Sequence, residues 1–274
     1  MNRSTSSRVQ QVMSAADDAA DSKQVGWLAR AGLAARATVY VVIGILALLA
    51  AIGSSGRNVD QQGALAELLT HSWGTLLVGL LAVGFLGYAV WRLAEAAFGV
   101  TGEPDGAGPR LKSAFRGVVY LALTFTAVSA LRGSTQSQKG KQTSLTAEVM
   151  SHSGGRVLVG LVGLAIVAGG AALVVEGYQL KFMRFFRAVP PQVRRVVVHL
   201  GRVGTIGRGV VFVLVGVLVV SAAWTFDPDK AGGMDTAFRT LLEQPYGKVL
   251  GILAALALLA FGVYGYAEAR WRRV

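Results

Sequence analysis

Three elements recur together three times along the chain, and their spacing fixes the plan of the fold. An arginine precedes an apolar run at Arg36-Ala-Thr-Val-Tyr40, Arg116-Gly-Val-Val-Tyr120 and Arg208-Gly-Val-Val-Phe212. A glycine opens a second apolar run at Gly74, Gly155 and Gly247. A glutamate follows 21 residues later, at Glu95, Glu176 and Glu268. The arginine-to-glutamate separations are 59, 60 and 60 residues, so one structural unit is used three times.

Each unit holds two long apolar runs. The uncharged segments are 37–56, 75–91, 117–131, 157–175, 209–226 and 249–267. Each approaches the ~20 residues a helix needs to cross a ~30 Å hydrocarbon core. A soluble domain with 53% hydrophobic residues would scatter them with a helical or strand period rather than in blocks. The 35 glycines and 6 prolines suit membrane helices that pack closely. The expectation is an all-α integral membrane protein of six transmembrane helices. They form three parallel two-helix repeats, at 28–99, 109–186 and 199–274, in a pseudo-threefold bundle. Residues 1–27 read as a polar tail without the apolar core of a signal peptide, leaving the first run as an uncleaved anchor.

The net charge of +12 raises the question of nucleic acid, but its placement follows topology. With both termini inside, 19 of the 27 basic residues fall on the cytoplasmic side. Basic residues near helix ends favour that side. Both termini are therefore expected on the cytoplasmic side of the membrane, with no nucleic-acid partner. The inner segment 179–207 carries Lys181, Arg184, Arg187, Arg194 and Arg195 around Pro190-Pro191. Such a cluster either contacts anionic lipid headgroups or only fixes topology.

The loops on the other side repeat as well. In 60–73, Leu65, Leu68 and Leu69 follow a helical period, as do Phe238, Leu241 and Leu242 in 235–246, with a weaker copy in 143–153. These predict short amphipathic helices on the outer interface, with Asp60 and Asp235 as N-caps and Trp73 and Tyr246 at the interface.

The repeated charges are locally unfavourable. An arginine at a helix N-terminus and a glutamate at a C-terminus both oppose the helix dipole. The run 117–131 has 15 residues, roughly 22 Å of helix at ~1.5 Å per residue, so Arg116 lies deep unless the bilayer thins. The expectation is a charge network in which Arg36, Arg116 and Arg208 pair with Glu95, Glu176 and Glu268, within or between repeats. Independent snorkelling to the headgroups is the alternative.

No catalytic constellation is evident. The chain has no cysteine, no His-Glu-x-x-His, no phosphate-binding loop and no nucleophile elbow. His71 and His152 occupy equivalent loop positions, Gln244 taking the third. Without nearby carboxylate or thiolate partners they read as capping or interfacial residues rather than metal ligands. The glycine-rich stretch from Gly201 to Gly209 leads into a membrane run and reads as close packing rather than dinucleotide binding. The helix middles lack ionisable groups, which argues against a coupled transporter but leaves a passive pore or lipid cavity open. No metal or cofactor is expected.

The segment Leu28-Ala-Arg-Ala-Gly-Leu-Ala-Ala-Arg36-Ala-Thr-Val-Tyr40, its echoes at Arg116 and Arg208, and the ending Gly262-Val-Tyr-Gly-Tyr-Ala-Glu268-Ala resemble the bacterial membrane family called domain of unknown function 1206. The resemblance covers nearly all of the chain beyond residue 25 and implies three two-helix repeats. The second repeat departs most, with Ala-Leu-Val-Val-Glu176-Gly where the others have aromatics. The resemblance implies a bacterial cytoplasmic (inner) membrane location, but no activity and no catalytic residues. Mitochondrial carriers share the plan of three two-helix units, but their Pro-x-Asp/Glu-x-x-Lys/Arg signature is absent, which leaves only fold-level analogy. The leading expectation is a non-enzymatic structural or accessory protein that associates with lipids or another membrane complex. A passive channel or carrier gated by the charge network is the runner-up.

Overall fold

The computed structural model describes residues 23–54, 56–100, 106–133, 138–152, 154–187, 189–231 and 233–273. Most of the expected polar tail, 1–22, lies outside them, whereas 23–27 belong to the first helix. The described residues form nine α-helices: α1 (Lys23–Ala51), α2 (Gln61–Leu69), α3 (Gly74–Phe98), α4 (Ala107–Leu131), α5 (Gln138–Ser151), α6 (Gly155–Tyr178), α7 (Pro191–Thr225), α8 (Gly233–Leu242) and α9 (Gly247–Trp271). Six of them, α1, α3, α4, α6, α7 and α9, are long and apolar enough to cross a membrane.

Helix α7 reaches further back than the apolar run predicts. Pro191 occupies its first turn, where a missing N–H costs nothing. No breaker follows until Phe226, so the 35 residues form one helix of roughly 52 Å. More than half of the expected inner segment 179–207 is therefore helical.

The repeated glycines Gly74, Gly155 and Gly247 mark three equivalent turns. Each opens a long helix directly behind a short one, and each is buried. A side chain there would collide with the carbonyl of Leu68, Val149 or Leu242 at the end of the preceding short helix. Only glycine allows that approach.

The long helices pack in the order α4–α3–α1–α9–α7–α6. A threefold ring of three hairpins has six junctions, and five of them are formed. The sixth, between α4 and α6, is not: the two helices of the second repeat share no packed interface among the described residues. Burial agrees, since only 17% of the apolar window is buried in α4 and in α6, against 50% in α1 and 56% in α3.

The cause is visible at the hairpin crossings. In the first repeat a methyl at Gly32 would run into Tyr88, and one at Gly84 would lie 2.8 Å from the Ala35 Cβ. In the third repeat Gly204 meets the backbone of Phe261 and Gly207 meets Ala257, at positions that correspond under the repeat. The corresponding positions of α4 hold Lys112 and Phe115, both exposed, Phe115 by 69%. Two long side chains replace two small ones at the point where the helices must touch, and the hairpin stays open. The other junctions keep their small residues, as where Gly170 faces Gly209.

At one end of the bundle α2 and α8 cover the helix ends. Their apolar faces turn into the protein, with Leu65 1% and Phe238 3% exposed, rather than lying on the membrane interface. Trp73 and Tyr246 remain exposed. Asp60 caps α2 by accepting from the Gly63 N–H at 2.8 Å. Asp235 is not the expected N-cap, because α8 already begins at Gly233. Its Oδ1 accepts from the Val59 N–H at 2.8 Å and its Oδ2 from Arg239 Nε at 2.8 Å, tying the first and third repeats together.

Burial raises the Asp60 carboxyl above its ordinary value, and the nearby Asp235 charge adds to this against the lowering hydrogen bond from Gly63. A carboxyl with a raised folded pKa favours the fold while protonated and loses that contribution as pH rises. The wild type is therefore expected to lose stability, relative to Asp60→Asn, as pH rises from about 4 through the elevated Asp60 value. Asparagine keeps the cap. Thermal unfolding midpoints of the two proteins across pH check this, and parallel curves would contradict it.

Candidate functional site

The other end of the bundle gathers arginines from five long helices over a bed of aromatic rings. Two carboxylates anchor the gathering. Glu268 on α9 is held between Arg36 of α1 and its own helix neighbour Arg272, whose Nη1 donates to Oε1 at 2.6 Å. Glu95 on α3 accepts from Arg92 Nη1 at 2.5 Å and from Ser113 Oγ of α4 at 3.1 Å. Arg92 also donates from Nε and Nη2 to the Tyr88 hydroxyl, at 3.0 and 2.8 Å. Arg36, Arg92, Glu95, Glu268 and Arg272 are all buried. Buried charges persist only when paired and hydrogen-bonded, and these five are.

The rings complete the lining. The Arg92 guanidinium lies 4.3 Å from the Trp91 ring centre and 5.1 Å from that of Tyr88. Arg208 of α7 sits 4.7 to 5.2 Å from Phe261, Phe212 and Tyr40. Arg36 lies 5.4 Å from Phe261, and Arg272 5.9 Å from Trp91. Tyr88 stacks against Tyr120 of α4 at 4.3 Å. Aromatic faces stabilise guanidinium groups where water is scarce.

Of the six repeated charges, Arg36 and Glu268 pair, across the junction of the first and third repeats. Under the repeat, Arg116 corresponds to a partner of Glu95, and Arg208 to a partner of Glu176. Neither contact is made. Glu95 takes Arg92 and Ser113 instead. Arg116, Arg208 and Glu176 form no ion pair among the described residues. The Arg208 Nε is buried without a hydrogen-bond partner.

A further set of three arginines belongs to the repeat. Arg30, Arg110 and Arg202 each stand six residues before the repeated arginine. Arg30 donates from Nη1 to the carbonyls of Ala269 and Arg270, at 3.0 and 2.6 Å. Arg110 donates to that of Ala97 at 3.2 Å. Both satisfy the unpaired carbonyls at a neighbouring helix C-terminus. By contrast Arg92 and Arg272 have no repeated signal, since leucine or glycine fills their corresponding positions.

Lys181, Arg184, Arg187, Arg194 and Arg195 are exposed around this end. Their segment is strapped to the end of α9: the Arg187 N–H donates to Trp271 at 2.8 Å and the Arg273 N–H to Phe185 at 2.9 Å. Phe182 is buried against Tyr264. At the opposite end, His71 and His152 bond the carbonyls of Glu67 and Glu148 through Nδ1, at 3.2 and 2.8 Å, and Gln244 does the same to Thr240 at 3.2 Å. All three close the last turn of a short helix. The glycines from Gly201 to Gly209 pack against Phe182, Phe261, Ala257 and Gly170, as close approach requires.

Six apolar helices in repeated pairs, with charges gathered at one end, define a multi-pass helical membrane protein. The chain belongs to the family described as Domain of Unknown Function (DUF1206), which matches it three times, at 31–99, 111–179 and 203–272, one match per helical hairpin. It is similar to the uncharacterized protein YxxB of Bacillus subtilis (strain 168), 30% identical over 240 residues, 86% of each chain. No solved structure matches.

The three repeated glutamates are structurally unequal, and substitution should show it. Glu268→Gln strands two buried guanidinium groups and is expected to cost about 3–5 kcal/mol. Glu176→Gln is expected to cost under about 1 kcal/mol. Unfolding of the purified variants in detergent measures both, and equal losses would contradict the unequal pairing.

Proposed function

We propose that the protein is a non-enzymatic accessory protein of the bacterial cytoplasmic membrane, with both termini inside, that associates with anionic lipid through the opening in its second repeat. The observation that carries this reading is the missing junction between α4 and α6. An opening between two membrane helices fills with acyl chains, since nothing else in the hydrocarbon is as cheap to place there. Its charged end meets an arginine-rich cluster, and the exposed Lys181, Arg184, Arg187, Arg194 and Arg195 ring the same end. Headgroups of negative charge suit that surroundings.

The reading as a passive channel or carrier draws less support. The short helices α2 and α8 cover one end of the bundle, and the strap at Phe186 and Arg272 pins the other. Opening would have to break the Arg36–Glu268–Arg272 arrangement.

Gentle extraction from native membranes, followed by mass measurement of the intact protein, tests the proposal. Anionic phospholipid is expected to remain bound at a fixed ratio to the chain, with or without a partner membrane protein. Recovery of a lipid-free, partner-free monomer under several mild conditions would contradict it.

A further inference from the structure

Charge does not balance at the arginine cluster. Five guanidinium groups, those of Arg36, Arg92, Arg116, Arg208 and Arg272, face two carboxylates, Glu95 and Glu268, an excess of three positive charges. Glu176, whose charge reaches Tyr264, lowers the excess only to two. Arg116 has three of these arginines, Arg92, Arg272 and Arg208, among its electrostatic neighbours, together with Tyr88. Like charges gathered at a partly buried site repel, and half-buried Arg116 and Arg208 gain from something negative beside them.

We infer that Arg116 and Arg208 form a binding site for a phosphate-type oxyanion, either the headgroup phosphate of an anionic lipid or a soluble phosphate. These are the two repeated arginines left without a glutamate, whereas Arg36 spends its charge on Glu268 and Arg92 on Glu95. The Arg208 guanidinium rests on three rings, which stabilise its faces and accept nothing from its in-plane N–H groups. Its Nε–H is buried and unbonded. A planar fork of donors matches the oxygens of a phosphate, which a point charge does not. Arg116 stands on α4, the helix that borders the opening, so a headgroup entering between α4 and α6 reaches it without crossing a packed junction. The repeat also accounts for the vacancy. Arg92 and Ser113 take up Glu95, the carboxylate that threefold symmetry would have given to Arg116. The lipid source rests on the function proposed above; the oxyanion site does not.

The test uses the full chain in neutral detergent, as wild type, as the double variant Arg116→Gln with Arg208→Gln, and with the conservative change Arg208→Lys. Vesicles or mixed micelles of phosphatidylglycerol, matched ones of phosphatidylcholine, and inorganic phosphate serve as probes. Phosphatidylglycerol or phosphate is expected to raise the unfolding midpoint of the wild type, and phosphatidylcholine is not. The double variant should bind the effective probe at least roughly tenfold more weakly, as loss of charge-assisted bonds requires. Arg208→Lys should fall between the two. Without any anion, the single variant Arg116→Gln should melt no lower than the wild type, because it removes a like charge and, unlike a change at Arg208, no ring contact. That sign separates a ligand site from a structural role and holds whether or not a ligand is found.

Stabilisation by phosphatidylglycerol alone assigns the site to a headgroup, and stabilisation by phosphate assigns it to a soluble anion; either supports the site. Equal binding of phosphatidylglycerol by wild type and double variant overturns the site while leaving the lipid reading intact. An Arg116→Gln variant that melts lower without anion, or a wild type that responds to neither probe, also overturns the site.

Discussion

Two membrane helices come close only where one of them offers little more than backbone. Lipid tails are as apolar as leucine, so no hydrophobic drive compensates for a bulky residue at the crossing, and contact depends on van der Waals fit. In this chain the first and third hairpins cross at Gly32 and Ala35, and at Gly204 and Gly207. The second would have to cross at Lys112 and Phe115. The order of helices, the exposure of α4 and α6 and the arc in place of a ring all follow from that difference.

The opening lies between α4 and α6, inside the second repeat, whereas the repeated arginines and glutamates belong to the junctions between repeats. The threefold pattern calls for three arginine–glutamate contacts at the three junctions between repeats, and it survives at one, Arg36 with Glu268. At the second junction Arg92 and Ser113 hold Glu95. At the third, α6 and α7 pack through glycines without an ion pair among the described residues. Three such pairs would balance the six repeated charges; with one formed, Arg116 and Arg208 are left without a glutamate at the end of the bundle where α4 and α6 stand apart.

The architecture was legible because it depends on periodic features: apolar run lengths, the spacing of Gly74, Gly155 and Gly247, and the helical period of the short loop helices. The equivalence of His71, His152 and Gln244 was legible for the same reason, although the sequence left capping and interfacial placement of the histidines open. What the sequence obscured was the choice of partner among like candidates. Arg92 lies three residues before Glu95 on its own helix, a spacing that reads as an ordinary helical pair until burial shows it to displace Arg116. Asp235 reads as an N-cap because it precedes an amphipathic stretch, yet α8 starts two residues earlier and frees it to hold Val59. The gap itself had a sequence signal, the long side chains at Lys112 and Phe115, which becomes meaningful only once the equivalent small residues are seen to be contact points.

The chain has no cysteine, so pairs of cysteines can be introduced without background. The equivalent pairs are residues 35 and 84, 115 and 165, and 207 and 257, one for each hairpin. Oxidation in native membranes should join the first pair and the third and leave 115 and 165 unjoined. Joining of all three pairs at similar rates would mean that the second hairpin closes like the others, and the account of an open second repeat would be wrong.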